Sequence, residues 1–228
     1  MLKQLSKPSC RHLRTQLNRT ISDVGCSIEW YKGCMITADN IVTNVRNRSE
    51  LGEKFRYRTF DSFDSSRNHQ AYDSAKQYAN GFDDIRRKEK NSMIFFGSTG
   101  TGKTHLAAAI ANQVINEKHY PVMFGTFIEY LDRIRSEFND SAERSKHEMK
   151  NLPLLVIDDL GKEKQTAWSD QTLFEIINYR YEHRLPVLIT TNLSPDELAR
   201  RYDKAVISRL HEMCIYVSMI GKDHRVYS

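Results

Sequence analysis

Ser92–Ile110 reads SMIFFGSTGTGKTHLAAAI, and the rest of the chain is organised around it. Four apolar residues, Met93 to Phe96, stop abruptly at Gly97, and a helical pattern begins at Lys103. Three of the ten glycines, Gly97, Gly100 and Gly102, fall within six residues. The spacing G-x-x-x-x-G-K-T is that of a phosphate-binding loop joining a buried strand to a helix. Glycines let backbone N–H groups turn inward, and the new helix presents its positive dipole end to the same point. Gly97, Ser98, Thr99, Gly100, Thr101, Gly102, Lys103, Thr104 and His105 are the expected nucleotide-binding residues. Lys103 can reach the β- and γ-phosphates, and the Thr104 hydroxyl can take a Mg²⁺ position. A glycine-rich turn without a ligand would explain neither the strand before nor the amphipathic helix after. The expected ligand is a nucleoside triphosphate with Mg²⁺.

The 228 residues suffice for one α/β domain and a small appendage. No apolar run approaches a membrane span, the longest near-continuous one being Leu152–Ile157. Basic residues at the start lack a following apolar core, so no secretory signal is read. Cys10, Cys26, Cys34 and Cys214 show no C-x-x-C pairing, and reduced thiols in a cytoplasmic protein are the expectation. Cys10, His12, Cys26 and Cys34 are a candidate zinc set, against which their irregular spacing weighs. The net charge of +5 is uneven: residues 1–50 hold eight Lys/Arg and four Asp/Glu, a balance of +4 that leaves +1 elsewhere. That arm suits nucleic acid, an acidic partner surface or a solvated tail.

Residues 1–50 show no sustained period beyond a possible short helix near Cys10–Leu17, and a boundary falls near Gly52. Aromatics follow in FRYRTFDSF (Phe55–Phe63), and then a helix with Ala71, Ala75, Tyr78, Ala79 and Phe82 on one face. DDIRRKEKN reads as a solvated connection. Strands are expected at Met93–Phe96, Tyr120–Gly125, Leu152–Leu160, Leu185–Asn192 and Cys214–Met219. Leu106, Ile110 and Val114 mark one helix. Thr126 and Glu129 form a capping box for a helix turning Ile128, Leu131, Ile134 and Phe138 inward. Asn139–Lys150 is a solvated loop or an exposed helical insertion, and Trp168–Glu182 is helical. Ser194-Pro195-Asp196-Glu197 starts another helix. Alternating strands and helices imply a mostly parallel sheet with ligands at its carboxyl ends.

LLVIDDLG sets Asp158 and Asp159 at the end of an apolar strand, fifty-five residues after Lys103. An acid there holds Mg²⁺, and the next carboxylate can orient or deprotonate water. Asn192, ending the following strand, can hydrogen-bond the γ-phosphate or the water. A small-molecule kinase would share the loop, but the paired acids, Asn192 and the lack of an Arg-rich lid argue against it.

From about residue 51 onward the chain resembles the AAA+ ATPases of the DnaC/DnaI helicase-loader and IstB-like group. The resemblance rests on ELGEKFRYRTFDSF, GSTGTGKTHLAAAIAN, LLVIDDLGKE, LITTNLSPDEL, ISRL and GKDHR. It implies an ASCE three-layer sandwich over residues 51–228 with a five-stranded sheet, and an N-terminal partner-binding extension over 1–50. Since the chain ends three residues after Arg225, no C-terminal helical lid is expected. By this resemblance Asp158 and Asp159 match the Walker B acids, Asn192 sensor 1, Arg209 the arginine finger and Arg225 the loaders' terminal arginine. Many AAA+ proteins carry Glu where Asp159 stands, and the Phe55–Phe63 stretch matches the family's adenine-holding segment. The implied function is a slow ATPase, stimulated by assembly or DNA, that loads a hexameric replicative helicase onto single-stranded DNA. Its N-terminal segment would bind the helicase, and its core would self-associate. An IstB-type transposition helper and an ATP-clamped adaptor are the alternatives.

Overall fold

The computed structural model describes residues 51–136, 140–219 and 221. The segment 1–50 with its expected short helix, three cysteines and basic arm, and also Phe138 and Arg225, lie outside the described residues. Five strands form one sheet: β1 (Ser92–Phe96), β2 (Val122–Thr126), β3 (Leu154–Leu160), β4 (Val187–Thr191) and β5 (Cys214–Ser218). Their order is β2-β3-β4-β1-β5, and every neighbouring pair is parallel.

Strand starts are set by proline. Pro121, Pro153 and Pro186 stand immediately before β2, β3 and β4. The expected starts at Tyr120, Leu152 and Leu185 therefore come two residues too early, because proline has no N–H for the ladder.

Side chains alternate faces along each strand, and both faces are covered. Met93, Phe95, Val122, Phe124, Leu154, Val156 and Leu188 face α2 (His69–Asn80) and α4 (Lys103–Glu117). Ile94, Met123, Leu155, Ile157, Val187 and Ile189 face the helices α5 (Phe127–Ser136), α6 (Asp140–Asn151), α7 (Ala167–Glu182), α8 (Pro195–Arg201) and α9 (Lys204–Met213). This is the three-layer AAA+ type of sandwich, with β1 to β4 apolar because neither of their faces meets water, whereas β5 leaves Ile215 44% exposed. Short helices α1 (Glu53–Arg56) and α3 (Phe82–Ile85) flank α2 in sequence. The residues expected on one face of the α2 region, Ala71, Ala75, Tyr78, Ala79 and Phe82, are all buried.

Two local expectations need correction. The Thr126–Glu129 capping box does start α5, with Glu129 N–H donating to Thr126 Oγ1 at 3.2 Å and Thr126 N–H to Glu129 Oε2 at 2.6 Å. Its buried stripe, however, is Phe127, Tyr130, Leu131 and Ile134, while Ile128 is 41% exposed. Leu131 and Ile134 are inside as expected, and Phe127 and Tyr130 stand where Ile128 was expected. The two aromatics are inside because the Tyr130 hydroxyl also finds the Val156 carbonyl at 2.7 Å. The polar stretch after it is helix α6, docked rather than simply exposed: Met149 and Ser145 are buried, and Arg133 pairs with Glu148 at 2.8 Å.

Arg180 closes the amino end of the sheet. It is fully buried on α7 and donates to the carbonyls of Met149 (2.8 Å), Lys150 (3.3 Å), Leu152 (2.9 Å) and Pro186. Burial pulls its guanidinium down to about 9. Arg180→Leu would leave these carbonyls dry and unpaired, so we expect a loss of about 3–5 kcal/mol, read by urea unfolding. A loss below about 1 kcal/mol would show that the carbonyls find other partners.

Candidate active site

The loop after β1 has the backbone its glycines foretell, with φ of 136° at Gly97, 78° at Gly100 and 94° at Gly102. Neighbours crowd two of these positions. A Cβ on Gly97 would lie 2.2 Å from the Met219 carbonyl oxygen, and one on Gly102 would lie 2.6 Å from Phe63 Cε2. The segment after β5 is pinned to the loop by Met219 N–H on Phe96 O (2.8 Å) and Ser98 Oγ on Gly221 O (3.0 Å). Lys103 is only 6% exposed and donates to the carbonyls of Gly97 (2.8 Å) and Ser98 (2.7 Å). Thr101 Oγ1 donates to Ser98 O at 2.9 Å.

Asp158 and Asp159 stand at a bulge. β3 and β4 pair Ile157 with Ile189 and then Leu160 with Thr191, so β3 advances three residues while β4 advances two. Asp158 and Asp159 thus share a single opposite residue, Thr190. Asp159 takes φ 55°, a left-handed conformation that Asp and Asn tolerate better than longer side chains. Asp158 is buried, and its Oδ1 accepts from Thr104 Oγ1 (2.8 Å) and Thr190 Oγ1 (2.5 Å). Burial raises its pKa above the ordinary value; the two hydroxyl donors oppose the shift, and the neighbouring Asp159 charge reinforces it. Asp159 pairs with Lys162 at 2.7 Å.

The bulge accounts for Asp rather than Glu at position 159. We expect Asp159→Asn to keep the melting temperature, and Asp159→Glu to lose about 1 kcal/mol through the left-handed backbone. At this size that is about 2–4 °C in calorimetry. A Glu variant melting at or above wild type would refute this account.

Around the acids, the loop Gly161–Glu163 is held by residues the sequence did not single out. Glu163 is 5% exposed and accepts from Gly161 N–H (2.9 Å), the Tyr202 hydroxyl (2.7 Å) and Arg201 Nη2 (3.1 Å). This ties the loop after the acids to the end of α8. No local pattern around LGKE signals this contact, because its partners lie at the end of α8.

The other expected site residues divide. His105 joins the loop helix to the aromatic segment: Nε2 lies 2.9 Å from Thr59 O and 3.1 Å from Ser62 Oγ, and the ring meets Phe63 edge-on. Burial lowers its pKa, the Thr59 carbonyl opposes the shift, and Arg58 adds to it. Thr99 belongs to the turn between Gly97 and Gly102. Asn192 is one residue beyond β4, half-buried, next to Thr191, which pairs with both Phe96 and Leu160. Arg209 does not join the loop residues: on α9 it donates to Ala205 O at 2.9 Å and lies over the Phe174 and Tyr181 rings at 5.3 and 5.7 Å.

The residues present fit a Mg²⁺ nucleotide. The glycine backbone has the positive φ values a phosphate cradle needs, and Lys103 supplies a cation at its base. Thr104 and Asp158 make an all-oxygen donor pair suited to a hard cation that keeps its remaining positions for phosphate and water. Among the described residues no group of three His, Cys, Asp or Glu could hold a metal, and no helix is long and apolar enough to cross a membrane.

Comparison with known proteins gives consistent relatives. The family model described as IstB-like ATP binding protein matches residues 2–226. The phage-like element PBSX protein XkdC of Bacillus subtilis (strain 168) is 31% identical over 196 residues, covering 82% of this chain and 73% of that protein. The replicative helicase loader DnaI of the same organism is 30% identical over 136 residues, 55% of this chain and 43% of the loader. Among solved structures, the DnaC helicase loader superposes with a TM-score of 0.66 at 26% identity, over 74% of this chain and 99% of that chain. The chain thus spans about half or less of DnaI and most of XkdC.

Proposed function

Because the chain belongs to the family of IstB-like ATP binding proteins, we propose that it is an ATPase that loads a hexameric replicative helicase onto single-stranded DNA. The observation that carries the hydrolytic part is the 2.8 Å hydrogen bond from Thr104 to Asp158, which unites the phosphate loop with the end of β3. In this reading the bound Mg²⁺ nucleotide supplies an electrophilic γ-phosphoryl group and part of the charge neutralisation. Lys103 would bind phosphate oxygens in place of its loop carbonyls, and Thr104 with Asp158 would hold the metal. Asp159 orients the attacking water and takes its proton, with Lys162 as the competing partner for that carboxylate. Asn192 adds a hydrogen bond at the γ-phosphate, and Arg225 is assigned to the same nucleotide. Arg209 would act on the nucleotide of a neighbouring subunit. Residues 1–50 form the helicase-binding extension, and residues 51–228 the ATPase that self-associates and contacts DNA.

Loading is supported by the named loaders among the relatives. A second reading, a transposition helper, is favoured by the family match itself, which extends through residues 2–226. Affinity capture from the native host with ATP present separates the two. Retention of a replicative helicase supports loading, and retention of a transposase supports the helper. Capture of neither with ATP, under conditions where the chain binds ATP, would contradict both.

A further inference from the structure

Resting on the assignment of Asp158 and Asp159 to hydrolysis, we propose that Thr190 is a positioning residue whose hydroxyl spans the β3 bulge and aims both carboxylates. Thr190 sits inside β4 with no exposed surface, directly after the apolar run Val187–Ile189. A hydroxyl there costs stability unless it is paired, and valine would fill the same space. Its Oγ1 is used in both directions: it accepts from the Asp159 backbone N–H at 2.9 Å and donates to Asp158 Oδ1 at 2.5 Å.

Both bonds follow from the bulge. Two residues of β3 face one of β4, so the regular ladder cannot serve every backbone group. The Asp159 N–H takes the threonine hydroxyl in place of a strand carbonyl, and this holds Asp159 at φ 55°. The following threonine does the companion task, with Thr191 Oγ1 donating to Leu160 O at 2.7 Å and accepting from Leu193 N–H at 3.1 Å. Side chains of β4 thereby replace the missing ladder on both sides of the extra residue.

For Asp158 the consequence is a fixed carboxylate plane. Thr190 and Thr104 converge on Oδ1, and Oδ2 makes no hydrogen bond among the described residues. Oδ2 is therefore the oxygen available to a cation, and rotation of the carboxylate would break two hydrogen bonds. Thr190 touches no reacting atom. It acts through its two neighbours, as outer residues of metal sites do when their loss costs about 10–100-fold in metal affinity or activity.

The test compares Thr190→Val, Thr190→Ser and Asp158→Asn with wild type. Fluorescent ATP-analogue binding is measured in Mg²⁺ and in EDTA, with kcat, melting temperature and amide exchange of the nucleotide-free protein. We expect Thr190→Val to bind in EDTA as wild type does, to need about 10–100-fold more Mg²⁺ for half-maximal binding, and to lose kcat in the same range. Its Asp159 amide exchanges faster, while Thr190→Ser stays within about threefold of wild type on every measure, as its retained hydroxyl requires. A folded Thr190→Val with wild-type Mg²⁺ dependence and kcat overturns the proposal, as does a Ser variant impaired as deeply as Val. If the Val chain does not fold, Thr190→Ala and Thr190→Ser replace it, since they differ by the hydroxyl alone. An Asp158→Asn chain with unchanged Mg²⁺ dependence would instead remove the site assignment beneath the proposal.

Discussion

Asp158→Asn should fold normally and lower ATP turnover about 10²–10³-fold, the range for removing one preorganised electrostatic group from a reaction site. Both hydroxyls that reach Asp158 donate to Oδ1, a task an amide oxygen performs equally well. What the substitution removes is the negative charge and the oxygen left for a cation. Burial penalises the charged carboxylate in the fold and raises its pKa above the ordinary value, against the two hydroxyl donors. The nucleotide-free Asn variant should therefore melt at or above wild type, a separation of stability from activity expected where function needs a buried charge. Lys103→Ala should abolish turnover too, but through phosphate binding, since it deletes a buried cation between Gly97 and Ser98. Turnover at the wild-type rate by either variant would contradict the assignment.

Arg209→Ala should bind ATP nearly as wild type does, yet lose the rise in specific activity that comes with protein concentration or DNA. A finger is worth about 10³–10⁵ in rate, so the loss should be plain wherever chains assemble. Arg209 lies over two aromatic rings, and among the described residues only one of its five N–H groups is engaged, with Ala205 O. Its Nε is buried without a partner among the described residues. A guanidinium held so incompletely has capacity to spare for a phosphate on a neighbouring subunit. Mixing tests this directly. Lys103→Ala chains offer a finger without a working pocket and should partly rescue Arg209→Ala chains, which have the pocket alone. No gain in mixtures that assemble would confine Arg209 to its own chain.

What could be read in the sequence was whatever is written in neighbouring residues. Glycine spacing specifies a backbone, so the loop from Gly97 to Gly102 was legible, as were the capping box at Thr126 and the N-cap at Ser194. Paired acids after an apolar run placed Asp158 beside Thr104. Strand starts were readable in principle from Pro121, Pro153 and Pro186, and were misplaced because Tyr120, Leu152 and Leu185 extend the apolar runs. Ile128 was assigned inward because apolar character alone does not choose between adjacent positions on one helix. The bulge at Asp159, the Glu163 anchor and the Arg180 contacts were not legible. Each depends on a partner 28 to 39 residues away, and no local pattern marks it.

The most direct measurement of the central claim is helicase transfer onto closed circular single-stranded DNA. The full chain, the hexameric replicative helicase of its host and the circle are combined with ATP, and helicase retained on DNA is counted after gel filtration. We expect retention to require both the chain and ATP, and to fall to the level without the chain when Lys103→Ala is used. Helicase retention that is the same with and without the chain, while the chain binds ATP, would contradict the account.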